Sequence, residues 1–422
     1  MKSFTGLLCA AAALLQFSAV GTLLQAGPYE GKNFRGRIAY SSDGNHNDED
    51  DWAASPVALA IFSAAGVKDR VVHFDYNSIL PKTDPEWEKI HAASVLGAAE
   101  RFGYSMTIFH DSRKDLARSV ESIRKAIDDS SAENPLYFII AGPMEVAYMA
   151  IQKSNPEKRK YVHIISHSRW NDGFSPRYTF THTKRSVIPS GIHWVQIADQ
   201  NRLLTTSPYG RPATDEEWVP WHWMRDASDS RVKFLWDRMR VSKRADCSDA
   251  GMAYFLAFGD EEGSPEKLKK LLVDHQLPEP VRDRRSIRIE AENFRTLQSY
   301  ELEFKDDRAV SHRINVRLTG DKGRIATPYS ELFVERAGTY DVDVRYLDDK
   351  EGRSRFTLFI NGTRKGVPWT ALADDAAWKV HNIPKLTIKA GDEIAVAVER
   401  DGAEEAKIDY VQLNRSGAGA TN

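Results

Sequence analysis

Five carboxylates fall within nine residues between Asp43 and Asp51: Asp43, Asp48, Glu49, Asp50 and Asp51, with Asn45, His46 and Asn47 between them. Like charges this dense repel one another unless a cation joins them, and oxygen ligands without cysteine suit a hard cation, Ca2+ before others. A solvated acidic loop fits the same residues, and the segment alone leaves both readings open. A second group, His167-Ser168-Arg169-Trp170-Asn171-Asp172, offers an imidazole, an indole and polar side chains within six positions. Further on, Trp218, Trp221, His222 and Trp223 cluster in a stretch without clear periodicity. Flat rings suit stacking on sugar rings, and His222 would be a proton donor there; the same residues also suit a packed lid.

These groups need elements to hold them. From Arg37 to about Leu277, short apolar runs alternate with amphipathic ones. Strands are expected at 37–40, 70–74, 106–109, 136–141 and 161–166. Helices are expected at 52–65, from Pro85 with Asp84 as cap and Gly103 just past the end, over Leu116 to Ile127, and from Pro143. That alternation predicts an α/β, doubly wound, mostly parallel sheet, whose strand ends gather the loops after Tyr40, Phe74, Ile140 and Ile165 at one site. Pro278 to Ser286 reads as a linker. Beyond it, alternating segments such as Gly338 to Tyr346 and Phe356 to Ile360, the latter running into Asn361-Gly362, predict an all-β antiparallel sandwich over 287–415.

The acidic loop followed by an apolar helix resembles the aspartate cluster that opens the nucleoside hydrolases, and more so the nucleoside-hydrolase-like domain of some cellulose-binding proteins. Phe74-Asp75-Tyr76-Asn77, Ile139-Ile140-Ala141-Gly142-Pro143-Met144 and Ala245-Asp246-Cys247-Ser248-Asp249 resemble later segments of that superfamily in order. The resemblance spans roughly residues 37–277. It implies Ca2+ held by Asp43, Asp51, Asp249 and the Ala141 carbonyl, with Asp43 as general base and Asp50 accepting from a sugar hydroxyl. Asn45, His46, Asn77, Trp170, Asn171 and Asp172 would touch substrate. Extra residues inside the loop mean that His46 or Asp48 can take the place given to Asp43. The family's histidine beside the last aspartate is here Ser248, and its Thr-Asn after the Gly-Pro segment is Glu145-Val146. Both departures point away from nucleosides and towards bonds between sugars. The leaving-group acid is left among His167, Asp172 and His222.

Ile289-Glu290-Ala291-Glu292-Asn293-Phe294, Gly338-Thr339-Tyr340, Phe359-Ile360-Asn361-Gly362 and Ile408-Asp409-Tyr410-Val411 resemble the family 6 and family 35 carbohydrate-binding modules. That resemblance implies a structural calcium on Glu290, Glu292 and Asp409, and a sugar contact at Trp369.

Composition bounds the rest. Apolar residues make up 41% and the net charge is −2, which gives no electrostatic footprint for nucleic acid. Lys2 and the apolar run to Leu24 have the layout of a secretory signal peptide over 1–26, and its removal leaves Cys247 alone, with no disulfide or membrane anchor. The expectation is a secreted or periplasmic bacterial protein: a signal peptide, a hydrolase domain over 27–277, a linker over 278–286 and the sandwich. Its function would be Ca2+-dependent cleavage of glycosidic bonds in a poly- or oligosaccharide. A non-catalytic polysaccharide-binding protein is the alternative, and an N-ribosyl (nucleoside) hydrolase the third reading. The sequence is silent on oligomeric state.

Overall fold

The computed structural model describes residues 34–80, 82–175, 178–279, 286–304, 309–329, 337–389, 391–402 and 404–416. The expected signal peptide and most of the expected linker lie outside these.

The first half is built on six parallel strands: β1 (Arg37–Ser42), β2 (Val71–Tyr76), β3 (Phe109–Asp111), β4 (Leu136–Ala141), β5 (Val162–Ser166) and β6 (His193–Gln196). Their spatial order is β3-β2-β1-β4-β5-β6. Chain direction across the sheet reverses between β1 and β4, so the crevice beyond their carboxyl ends is the switch point where such sheets bind ligands. Ser42 pairs with Ala141 there. Asp43 therefore leaves the sheet directly opposite Gly142.

Helices cover both faces. α1 (Asp51–Ala64) is buried from Asp51 to Phe62, including its solvent-side turns, because later helices pack over it, among them Ala250–Phe258. α2 (Pro85–Arg101) starts where Asp84 accepts hydrogen bonds from the Glu86 and Trp87 amides, with Pro85 in the first turn, where its missing N–H costs nothing. α3 (Leu116–Asp128) and α4 (Glu145–Lys153) pack together on the other face.

Two local expectations are corrected. Met106–Ile108 forms a 3-10 turn, capped by the Ser105 hydroxyl, and the strand begins only at Phe109. The stretch around Trp218 is a string of short helices, Asp215–Trp218, Val219–Trp221 and His222–Asp226.

The second half is a β-sandwich. One sheet holds strands 377–388, 338–348, 407–415, 314–318 and 300–304 in that order, with 286–290 also paired to 407–415. The other holds 363–370, 353–360, 393–401, 322–328 and 296–298. Every recorded strand pair in it is antiparallel. Alternation along 338–348 puts Tyr340, Val342, Val344 and Tyr346 inside.

A buried lysine joins the halves. Lys184 Nζ lies 3.0 Å from Asp172 and 3.0 Å from Glu292, and none of the three side chains is more than 1% exposed. No described helix is long and apolar enough to cross a membrane.

Candidate functional site: an acidic floor beneath an interdomain cleft

Asp43 sits at the switch point with its carboxylate wholly buried. Its Oδ2 accepts from the Trp170 indole N–H at 2.7 Å, and its Oδ1 has no hydrogen-bond partner. Its amide donates to the Ala141 carbonyl at 3.1 Å. Asp51, at the start of α1, turns Oδ2 back to the Ser42 hydroxyl (2.9 Å) and the Asp43 amide (3.0 Å), while its Oδ1 is also buried and unpartnered. Asp249 precedes the helix Ala250–Phe258; its Oδ1 meets His167 Nε2 and Asn171 Nδ2, both at 2.6 Å.

Three segments far apart in sequence thus converge. Burial, with Asp249 and Asp50, raises the Asp43 carboxyl to about 7, against the facing Asp51 carboxyl and the Trp170 indole N–H, which lower it. Asp51 is driven well above its ordinary range by burial, then by Asp249 and Asp43. The phenol of Tyr40 beneath them is raised too, by burial and then by Asp51, Asp249 and Asp43.

A folded-state value above the unfolded one near 4 means that the folded protein keeps a proton the unfolded chain releases. That contribution is full at acid pH and lost as pH rises through about 4 to 7. Metal-free wild-type protein is therefore expected to lose stability relative to Asp43→Asn as pH rises through that window. Parallel denaturation curves at several pH values check this, and a constant difference would contradict it.

The orphaned oxygens of Asp43 and Asp51, in an all-oxygen setting, fit a hard cation in donor chemistry. Among the described residues, however, no three His, Cys, Asp or Glu side chains converge closely enough to enclose an ion in this conformation. Asp249, already gripped by His167 and Asn171, would have to share its carboxylate.

Gly142 makes this approach possible. Its φ is 138°, and a Cβ there would stand 2.6 Å from Asp43 Cβ. Gly142→Ala is expected to cost about 1–3 kcal/mol in stability, as backbone strain at such positions does, and to push Asp43 out of place. Chemical denaturation measures the first effect; wild-type stability in the variant would rule out this account of the glycine.

Above these acids lies a cleft of about 860 Å3 between the two halves. Asp48, Asp50, His167, Trp170, Asn171 and Asp249 are among the residues on its α/β side. Trp170 stands between the cleft and Asp43. Asp50 lies 3.5 Å from Arg244 Nη1 and accepts from the Ser248 hydroxyl at 3.3 Å. Asp48 is half-buried, and burial, Asp50 and Asp43 push its carboxyl well above the usual range.

Other expected site residues serve the scaffold. Asn45 is buried and ties down the next loop, donating to the Ile79 carbonyl and accepting from the Ile79 amide. His46 is not among the cleft residues; its Nε2 lies 3.0 Å from Asn47 Nδ2 and its ring faces Tyr178. Asn77, at φ 60°, spends its amide on His91 and Glu88. Asp172 is locked by Lys184 and the Ser166 hydroxyl, because a carboxylate this buried needs a cation.

His222 packs edge-on against Trp236 and is not among the cleft residues; its helix turns it into the aromatic cluster instead. His167 is the imidazole that lines the cleft. The Gln200 amide points at its Nδ1 (3.3 Å), which leaves Nε2 to donate to Asp249. Burial disfavours charge on the ring while Asp249 and Asp199 favour it, and the Gln200 N–H aimed at Nδ1 needs a lone pair there, which the neutral ring supplies. Both nitrogens are engaged either way.

In the sandwich, Glu292 is neutralised by Lys184, and Asp409 is paired with Arg345 and the Ser311 amide. Glu290 accepts from the Ser311 hydroxyl at 2.9 Å. Protein cations thus stand beside two of the three acids expected to hold a structural calcium. Trp369 is 8% exposed, its ring flat between Phe356 and His381. It belongs to the core, because the register of its strand turns it inward, which corrects its expected role in sugar contact.

Sequence reasoning missed His91 and Arg244. His91 is buried under the acidic loop, within 3.1 Å of Ser42 Oγ and of Asn77 Oδ1. Arg244 ion-pairs with Asp246 at 2.9 Å. The adjacent Arg244-Ala245-Asp246 was the available signal; nothing local marked His91.

No family model matches the chain. The β-(1,4)-mannanase of Podospora anserina, carrying a family 35 module, is 17% identical over 32% of this chain and 29% of its own, with a TM-score of 0.25. The family 35 module of Paenibacillus barcinonensis is 19% identical over 31% of this chain and 99% of its own, again with a TM-score of 0.25. Similarity this low fixes neither fold nor activity. Uncharacterized protein P22 of Formosa agariphila is different: it is 32% identical over 262 residues, which span 56% of this chain and 91% of that protein. Over that extent and at that identity, the chain belongs to the same family as protein P22 of Formosa agariphila.

Proposed function

We propose that the protein is a secreted, Ca2+-dependent hydrolase of glycosidic bonds in a poly- or oligosaccharide. The observation that carries this reading is the buried, half-satisfied Asp43–Asp51 pair set at the switch point directly beneath a large cleft. In it, Asp43, Asp51, Asp249 and the Ala141 carbonyl would hold the ion, whose bound presence would acidify water and fix sugar hydroxyls.

The chain's own residues do the rest. Asp43 takes the proton of the attacking water through the oxygen that Trp170 leaves unbonded. Trp170 closes the floor and must turn aside, or admit water past its edge, before substrate meets that oxygen. Asp50 accepts from a sugar hydroxyl. Asp48, whose carboxyl burial, Asp50 and Asp43 push upward, is the cleft-wall acid suited to protonate the departing sugar oxygen. His167 and Asn171 orient Asp249.

One observation favours the non-catalytic reading: Asp43 and Asp51 are entirely shut away from solvent, which suits a binding protein that retains the fold alone. Incubation of the purified protein with a panel of plant and algal polysaccharides, with and without chelator, separates the two. Hydrolysis gives reducing ends from at least one glycan and none after chelation. Binding without any release of reducing ends would establish the other reading, and free base from inosine or uridine would return the protein to nucleoside chemistry.

A further inference from the structure

The cleft has two unlike walls. The α/β side supplies all of its acids, Asp48, Asp50, Asp199, Asp246 and Asp249, together with Arg169, Arg202 and Arg244, of which Arg202 pairs with Asp199 and Arg244 with Asp50 and Asp246. The sandwich side supplies Arg288, Arg313 and Arg345 beside Tyr410, and no acid at all. Arg345 spends its charge on the buried Asp409. Arg288 is less committed: its guanidinium lies 4.0 Å over the Tyr410 ring and hydrogen-bonds the neutral Gln412 side chain and the Ser311 hydroxyl, and although its charge reaches the buried Glu290 and Asp409, it forms no close ion pair among the described residues. Its side is exposed, with room in front of it. Arg313 reaches the same space from a backbone at φ 60°, which an arginine rarely adopts and which tends to be kept where a side chain must be aimed.

We propose that this wall is the substrate-recognition surface of the cleft, and that it takes an anionic sugar: Arg288 grips a carboxylate or sulfate ester of the chain, in the positive field to which Arg313 adds, while Tyr410 lies against a ring. Planar guanidinium groups suit both oxyanions, and an aromatic ring held flat by an arginine is a stacking platform. The sandwich is then one wall of the site and not a tethered anchor. The acidic floor would repel such a group, so the anion is steered to the sandwich side and the linkage next to it falls over Asp43. This rests on the cleft being where glycan binds, as proposed above, but it does not require that glycan to be cut.

The test is binding, measured by calorimetry and affinity electrophoresis of the full-length protein with a polyuronate, a sulfated galactan and a neutral β-glucan. At least one anionic glycan is expected to bind, with affinity falling as salt rises, and the neutral one to bind at least roughly tenfold more weakly. Arg288→Gln with Arg313→Gln is expected to remove most of that preference, and Arg288→Lys with Arg313→Lys to keep part of it; a melting curve for each confirms folding. Whichever anionic probe is preferred tells carboxylate from sulfate. Equal binding of the neutral glycan, or an undiminished preference in the folded glutamine variant, would overturn the proposal. Preference without cleavage would instead sink the hydrolase reading and leave this one standing.

Discussion

Asp43→Asn is expected to reduce turnover by roughly 10²–10⁴-fold, the usual contribution of a general base, while the sandwich wall of the cleft still holds the glycan. Asparagine is close in shape and keeps an acceptor for the Trp170 indole, so the floor under the cleft stays closed. What it lacks is an oxygen able to take a proton. Because the carboxyl is buried and already held near neutrality by burial, Asp249 and Asp50, the variant should fold at least as well as the parent in the absence of metal. A rate within a few fold of wild type, on any glycan that the parent cleaves, would remove Asp43 from the chemistry.

The second large effect is on stability. Lys184 carries the cation between Asp172 and Glu292, 108 residues apart from the latter, and also reaches Gln196 at 3.2 Å. Lys184→Met would leave two carboxylates buried against one another, and losing one partner of a buried ionic cluster costs about 3–5 kcal/mol. The triple variant with Asp172→Asn and Glu292→Gln should recover much of that loss, since neutral amides need no cation. Urea denaturation of the single and triple variants reads both numbers. A single variant within 1 kcal/mol of wild type, a small surface-like effect, would show that the lysine is dispensable to the join between the halves.

The elements that the sequence announces locally are those with a physical signal confined to a few residues. Asp84-Pro85 can be read as a helix start because the cap and the proline act within one turn. Asn361-Gly362 can be read as a hairpin because both residues tolerate left-handed backbone, and both adopt it, at φ 50° and 71°. The acidic loop drew notice through charge density alone, and the structure gathers Asp43, Asp51 and Asp249 within electrostatic reach of Tyr40.

What stayed hidden depends on partners far along the chain. Arg244 meets Asp50 across 194 positions, and Arg345 meets Asp409 across 64. No local pattern says that a lysine in Thr183-Lys184-Arg185 will be wholly buried. Trp369 looks like a ligand platform until strand register turns it inward, and His222 looks like an acid until the fold packs it against Trp236, away from the cleft. The sandwich arginines over the cleft were invisible for the same reason, since a wall exists only after two domains meet.

Calorimetric titration of Ca2+ into the metal-stripped full-length protein, run beside Asp51→Asn, tests the centre of this account most directly. The wild type is expected to show a calcium site that is missing from the folded variant, whatever else the sandwich binds. Identical titrations of the two proteins, or no calcium uptake by either, would contradict it.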